Sequence, residues 1–171
     1  MSERKNVVKM KGGALTLVGN EVKVGDMAPE FAALDENLAP VKLSSFRGKV
    51  IVLTSVPSID TPVCDIETRR FNHEAGKLGE DVVVLTISMD LPFAQKRWCG
   101  AAGIENVKLL SDYRDASFGN AFGVLIKELR LLARTIFIID RKGKVQYIQY
   151  VEETSHEPNY DEVLTALGRI L

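Results

Sequence analysis

Long apolar runs are missing from this sequence. None approaches the ~18 residues that a membrane-crossing helix requires, and the polar start MSERKNVV lacks the apolar stretch that leads a secretory signal. A surplus of either charge is missing too. With 22 Lys and Arg against 23 Asp and Glu and a pI near 6.2, bulk electrostatics gives no reason to expect nucleic acid or an anionic membrane as a partner. A cytoplasmic protein is the expectation. Cysteine and histidine are scarce, two of each. In a compartment that keeps thiols reduced, two cysteines are poor candidates for structural cross-links. Composition alone reads them as inert thiols in the core. Internal repeats, low-complexity tracts and linker-like stretches are also lacking. The 171 residues are read as one domain, 1–171, long enough to bury a hydrophobic core without disulfide staples.

What is present is a regular alternation of strand and helix patterns. Val7 to Val18 alternates around Gly12-Gly13 and reads as a β-hairpin ahead of the main fold. Val41–Leu43 is a short edge-strand candidate. Val50-Ile51-Val52-Leu53 is a continuous apolar run, the pattern of a strand buried on both faces; Val82–Met89 is a second strand candidate, almost wholly apolar in its first half, and Thr135–Ile139 reads as a further buried strand. Val107–Ser111 and Lys144–Val151 complete the strands, the latter after the turn Asp140-Arg141-Lys142-Gly143. Helices are expected at Pro62–Leu78, Pro92–Ala102, Ala116–Phe122 and Tyr160–Leu171. This order predicts an α/β fold, a central mixed sheet flanked by helices with an N-terminal β-hairpin extension. The loop after Val50–Val56 lies at that strand's carboxyl end, where open α/β sheets place their sites.

That loop reads Pro57-Ser58-Ile59-Asp60-Thr61-Pro62-Val63-Cys64. Thr61 before Pro62 is a strong helix start, with threonine as N-cap and proline at the first helical position. Cys64 then falls at the third position, where a capping box would place a carboxylate. The free N–H groups and the positive end of the helix dipole favour an anion there, and cysteines at helix N-termini are enriched in the reactive thiolate. The alternative is a small apolar residue filling the first turn.

The surroundings narrow the chemistry. A cysteine hydrolase needs a histidine as proton acceptor. His73 stands nine residues beyond Cys64 on the same predicted helix and so projects from another face; His156 sits in the polar stretch before the last helix. A thioredoxin-type exchange enzyme needs Cys-x-x-Cys, whereas Cys64 is followed by Asp65, Ile66 and Glu67. Reduction of a peroxide needs neither, only a thiolate, a nearby cation and a second thiol. Two rivals remain: a redox-sensing binding protein switched by the same thiols, and a general dithiol–disulfide reductase.

Pro57, Thr61 and Cys64 match the Pro-x-x-x-Thr-x-x-Cys signature, and with it the chain resembles the peroxiredoxin family, in particular its thiol peroxidase subgroup (atypical two-cysteine peroxiredoxins). The resemblance spans the sequence from about Lys11 onward. It implies a thioredoxin-like fold, with Cys64 as the peroxidatic thiol, Thr61 as the hydroxyl that orients peroxide and contacts the sulfur, and Pro57 as a shield against water. Arg134 opens the apolar run Thr135–Ile139. On its own it reads as an arginine with its stem buried and its head in water at a strand end; the resemblance makes it the active-site cation. Arg69 and Arg70 read as surface charges. Cys99, alone, reads as a small hydrophobe on the Pro92–Ala102 helix; the resemblance makes it the resolving cysteine and pairs it with Cys64 in an intramolecular disulfide. It further implies hydroperoxide as substrate, thioredoxin as reductant, a homodimer, and neither metal nor organic cofactor. Two helices packed on one sheet sit about 8–10 Å apart, beyond the Cα separation of about 4.4–6.8 Å that a disulfide requires. Local unwinding of Leu91–Gly103 is therefore expected before the thiols meet.

Overall fold

The computed structural model describes residues 2–171. Its strands are β1 (Glu3–Met10), β2 (Gly13–Val18), β3 (Ala32–Leu34), β4 (Pro40–Lys42), β5 (Val50–Ser55), β6 (Val82–Ser88), β7 (Lys108–Ser111), β8 (Leu125–Ile126), β9 (Leu131–Leu132), β10 (Thr135–Ile139) and β11 (Val145–Tyr150). Its helices are α1 (Pro62–Ala75), α2 (Pro92–Ala102), α3 (Ser117–Ala121) and α4 (Tyr160–Ile170). Seven strands form one sheet in the order β11-β10-β5-β6-β7-β3-β4. Within it β5, β6 and β7 run parallel, and β10 lies antiparallel to β5. This is the mixed, helix-flanked sheet that the strand order predicts, and it matches the thioredoxin-like fold that the resemblance implies.

The largely apolar strands explain why β5, β6 and β10 lie inside the sheet, each with a strand on either side. Successive side chains of a strand point to opposite faces, so an unbroken apolar run supplies two cores at once. Ile51 and Leu53 of β5, Leu85 and Ile87 of β6, and Phe137 and Ile139 of β10 join one core with Phe118 and Phe122 around α3 and Leu17 of β2. Val50 and Val52, Val84, and Ile136 and Ile138 face the other way, against Cys64 and Phe71 of α1 and Val163 and Leu167 of α4. Two adjacent parallel strands thus deliver α1 and α2 from their carboxyl ends onto this second layer.

The N-terminal hairpin is longer than its alternation suggests. Met10 pairs with Gly13, so the turn is Lys11-Gly12, both at positive φ (50° and 78°). Two such residues build the tight turn that matches strand twist, and the register places it one residue before Gly12-Gly13. The hairpin joins β8 and β9 in a separate four-stranded sheet. Those two-residue strands, and β3, are too short to show a period in sequence. The predicted Val41–Leu43 strand is Pro40–Lys42, because Leu43 already begins a tight helical turn, Leu43–Phe46. Helix α1 ends at Ala75 instead of Leu78, capped by Gly76.

Candidate active site

Strand β5 ends at Ser55, and the chain turns through buried Pro57 into the loop that starts α1. Thr61 has the extended backbone of an N-cap (φ −97°, ψ 148°), and Pro62 follows at the first helical position. The threonine hydroxyl does not cap the helix. It donates instead to the Ser58 carbonyl at 2.8 Å, which also accepts the Thr61 N–H at 3.2 Å. Its single proton closes the loop behind it, its lone pairs stay free to accept, and no side chain caps the first turn of α1. Thr61 is exposed, and its hydroxyl is not the group bonded to the sulfur.

Cys64 is completely buried in that first turn. Its sulfur accepts a hydrogen bond from Arg134 Nη2 at 3.1 Å. Arg134 immediately precedes β10, the neighbour of β5, so two adjacent strands bring cation and thiol together across 70 residues of chain. The guanidinium is only 1% exposed and heads the fully buried side chains in size. Four of its five N–H donors are engaged. Nε and Nη2 donate to the Thr154 carbonyl at 3.2 and 2.9 Å, and Nη1 donates to Glu67 Oε2 at 2.5 Å. A planar guanidinium held on a carbonyl and a carboxylate presents its last edge to the sulfur in a fixed direction. Burial acts to lower the Arg134 pKa, but Glu67 and Cys64 outweigh it and the net direction is upward, so the cation persists. An arginine with its head in water does not describe this residue.

Glu67 is the residue that sequence reasoning misses. It stands three positions beyond Cys64 on α1 and is fully buried. Burial lifts its pKa from 4.5 to about 7, with Arg134 opposing the rise, and its Oε1 has no hydrogen-bond partner among the described residues. The one signal for it in the sequence is spacing, since residues i and i+3 share a helix face. The sign of its effect on stability follows. Between about pH 4.5 and 7 folded Glu67 retains a proton that the unfolded chain has released, so its share of stability is lost as pH rises through that window. Asp112, buried and raised from 3.8 to about 6, acts in the same direction at lower pH. Glu67→Gln is expected to flatten the fall in stability between about pH 6 and 7, measured by denaturant midpoint. An unchanged slope would mean that Glu67 does not titrate there.

Cys99 packs at the edge of the same apolar layer as Cys64 and makes no hydrogen bond to Cys64, Arg134 or Glu67 among the described residues. It is half-buried on α2, and both cysteines are free thiols. It lines a hollow of about 300 Å³ with Glu36, Gln95 and Leu109, and burial first, then Glu36, push its thiol pKa up. The helices are linked beside the cysteines: Trp98 Nε1 donates to Asp65 at 3.5 Å, and Arg69 lies over the Trp98 ring at 5.6 Å. Arg69 and Arg70 are otherwise exposed and paired along α1 with Asp65 and Glu74, as expected of surface charges. His73 and His156 are both exposed. Among the described residues, no group of three or more His, Cys, Asp or Glu is placed to hold a metal ion, and no helix is long and apolar enough to cross a membrane.

A helix start without a side-chain cap, a buried thiol and a cation fixed on it are common to more than one thiol chemistry, and comparison with known proteins decides between them. The sequence pattern described as Redoxin matches residues 23–164. The chain belongs to the Redoxin family. Within that family it falls among the thiol peroxidases of the peroxiredoxin group. It is 59% identical to the thiol peroxidase of Bacillus subtilis over 93% of this chain and 95% of that protein. The crystal structure of a peroxiredoxin-like protein from Aquifex aeolicus superimposes with a TM-score of 0.90 at 45% identity, covering 96% of each chain. A thiol peroxidase from Chromobacterium violaceum, 22% identical, shares the fold with a TM-score of 0.84 and 95% coverage of each chain. The chain is accordingly a peroxidase, an oxidoreductase.

Proposed function

We propose that this redoxin reduces hydrogen peroxide and organic hydroperoxides at Cys64, is resolved by Cys99 and is recycled by thioredoxin. The observation that carries the reading is Arg134 Nη2 donating to the buried Cys64 sulfur at 3.1 Å. A guanidinium fixed beside the sulfur holds in one direction the nucleophile that attacks the O–O bond. The thiolate takes the terminal oxygen of ROOH, the O–O bond breaks, and RO⁻ leaves to be protonated as alcohol, or as water when R is hydrogen. Arg134 stabilises the charge that moves onto the leaving oxygen. The Thr61 hydroxyl, whose proton is committed to Ser58, accepts from the hydroperoxide O–H and so orients it. Pro57, buried at the base of the loop, keeps water from the sulfur.

The Cys64 sulfenic acid then meets Cys99. Its thiolate attacks the Cys64 sulfur, water leaves, and one intramolecular disulfide forms. Burial and Glu36 hold the Cys99 thiol protonated while α2 is wound, so unwinding α2 both moves the sulfur and removes the burial that disfavours its thiolate. A dithiol protein, thioredoxin, reduces the disulfide by exchange. The cycle uses neither metal nor organic cofactor. We further place the working protein in the cytoplasm, as a homodimer of single-domain chains, where a thioredoxin pool keeps it reduced.

Coupled turnover tests the cycle against a redox sensor. The pure protein with thioredoxin, its reductase and excess hydroperoxide is expected to turn over steadily. Cys99→Ser is expected to retain the first oxidation and fall below about a hundredth of that steady rate, because regeneration through the disulfide is lost. A single oxidation per molecule in the wild type would overturn the enzymatic cycle in favour of a switch.

A further inference from the structure

Asp90 joins the Cys64 loop to the Cys99 helix. It lies between the end of β6 at Ser88 and Pro92, the first residue of α2. Its Oδ1 accepts from Ser58 Oγ at 2.7 Å, and its Oδ2 accepts from the Ile59 N–H at 2.9 Å and from Ser88 Oγ at 2.6 Å. Ser58 and Ile59 belong to the loop between Pro57 and Thr61. The Ser88 hydroxyl spends its proton on Asp90 and in turn accepts from Gln95 Nε2 at 3.0 Å. Gln95 is 2% exposed, donates also to the Leu110 carbonyl at 2.9 Å, and stands one helical turn before Cys99. The Ser111 hydroxyl fixes the Asp90 carbonyl from β7. A continuous run of hydrogen bonds thus leads from the loop before Cys64, through one carboxylate and one hydroxyl, to the turn of α2 that carries Cys99.

No cation takes part in this junction, so its strength is that of hydrogen bonds to one carboxylate, each stronger than a neutral one. The junction stabilises the loop and α2 in their present conformation. With α2 wound, Cys99 is a half-buried free thiol lining a hollow with Glu36, Gln95 and Leu109, while the buried Cys64 sulfur is bonded to Arg134. The two thiols meet only if the first turn of α1, α2 or both give way, and either motion strains the bonds at Asp90.

We infer that Asp90 is a positioning residue whose junction must open before the disulfide closes, and that it thereby sets how the Cys64 sulfenic acid is divided between two fates. The inference rests on the reading of Cys99 as the resolving thiol. In the first fate Cys64–SOH and Cys99–SH give the disulfide and water. In the second a further hydroperoxide attacks first, its O–O bond breaks, and Cys64–SOH becomes sulfinic acid with release of alcohol or water. A tighter junction prolongs the sulfenic acid and favours the second fate; a looser one favours the disulfide.

Asp90→Asn tests this, with Ser58→Ala as a second variant that removes one of the bonds to Asp90, together with the bond the same hydroxyl accepts from the Asp60 N–H, and leaves α2 untouched. Disulfide closure is followed in rapid mixing by the fluorescence of Trp98, the neighbour of Cys99, and the sulfinic fraction by intact mass after many turnovers. Both variants are expected to close faster, Asp90→Asn by about tenfold, the scale of losing bonds to a charged group. The sulfinic fraction is expected to fall by a similar factor. The first peroxide step, measured in a Cys99→Ser background, is expected to stay within about twofold of wild type because Asp90 touches neither sulfur nor cation. Purely structural loosening would slow that step and leave the partition unchanged, which would overturn the assignment. Closure that is unchanged or slower in both variants would overturn it as well. If the wild type itself forms no Cys64–Cys99 disulfide, the reading of Cys99 fails and the junction's proposed role falls with it. A wild type that closes normally beside variants that close no faster isolates the failure to Asp90.

Discussion

Cys64→Ser is expected to bring peroxidase turnover below about a thousandth of wild type while the fold stays intact. The serine side chain fits the space of the buried thiol, and Arg134 retains an acceptor at that position. What is lost is the chemistry. A serine hydroxyl stays protonated even beside a guanidinium, and it has no sulfenic oxidation state through which to take an oxygen atom. Steady-state turnover with unchanged circular dichroism decides the point. Substantial residual turnover in a folded variant would remove Cys64 from the reaction.

Arg134→Met is expected to slow the peroxide step by about 10²–10³-fold, the scale of removing one fixed donor from a site where charge develops. The same change should also weaken the fold. Glu67 is fully buried and has Arg134 as its cation; without that cation burial keeps its carboxyl protonated, and a buried polar group left without a partner costs about 1–3 kcal/mol. The two effects are separable. In the double variant Arg134→Met with Glu67→Met neither partner is left buried without the other, so stability should recover by most of that amount while the peroxide step stays slow. Stopped-flow oxidation beside denaturant melts reads both quantities. A double variant with the wild-type rate of sulfenic acid formation would leave Arg134 a purely structural role.

The central strands of this fold are legible because their chemistry is one-dimensional. Val50–Ser55 and Thr135–Ile139 are buried at every position, and such runs announce themselves without reference to partners. The turn into α1 is legible for a similar reason, since Thr61, Pro62 and Cys64 carry their local geometry in their own dihedral and capping preferences. Sequence does not show where the Thr61 hydroxyl goes. The backbone adopts the N-cap conformation, but the Ser58 carbonyl competes for the proton, and only the closed loop brings that carbonyl near. β8 and β9 are invisible in the sequence because two-residue strands exist through their neighbours.

The site residues divide along the same line. Arg134 is visible as an odd charge before an apolar run, yet its burial and its contact with Cys64 come from the pairing of β10 with β5. Glu67 and Asp90 look like ordinary acids, one on a helix and one in a turn. Glu67 becomes part of the site only when α1 presses its inner face on the sheet. Asp90 becomes a junction only when the β5–α1 and β6–α2 loops are laid side by side by the parallel pairing of β5 with β6. That pairing explains why the sites of parallel sheets gather at strand carboxyl ends and why no linear pattern shows their second set of contacts.

The most direct test of the account is the intact mass of the reduced protein after one equivalent of hydroperoxide, with peptide mapping under non-reducing conditions. Attack by Cys64 followed by resolution at Cys99 requires a monomer that has lost two hydrogens and a single crosslinked peptide pair containing Cys64 and Cys99. In Cys99→Ser the product should instead carry one added oxygen on Cys64. A covalent dimer linked Cys64 to Cys64, or an oxygen found on Cys99 with Cys64 unmodified, would contradict it.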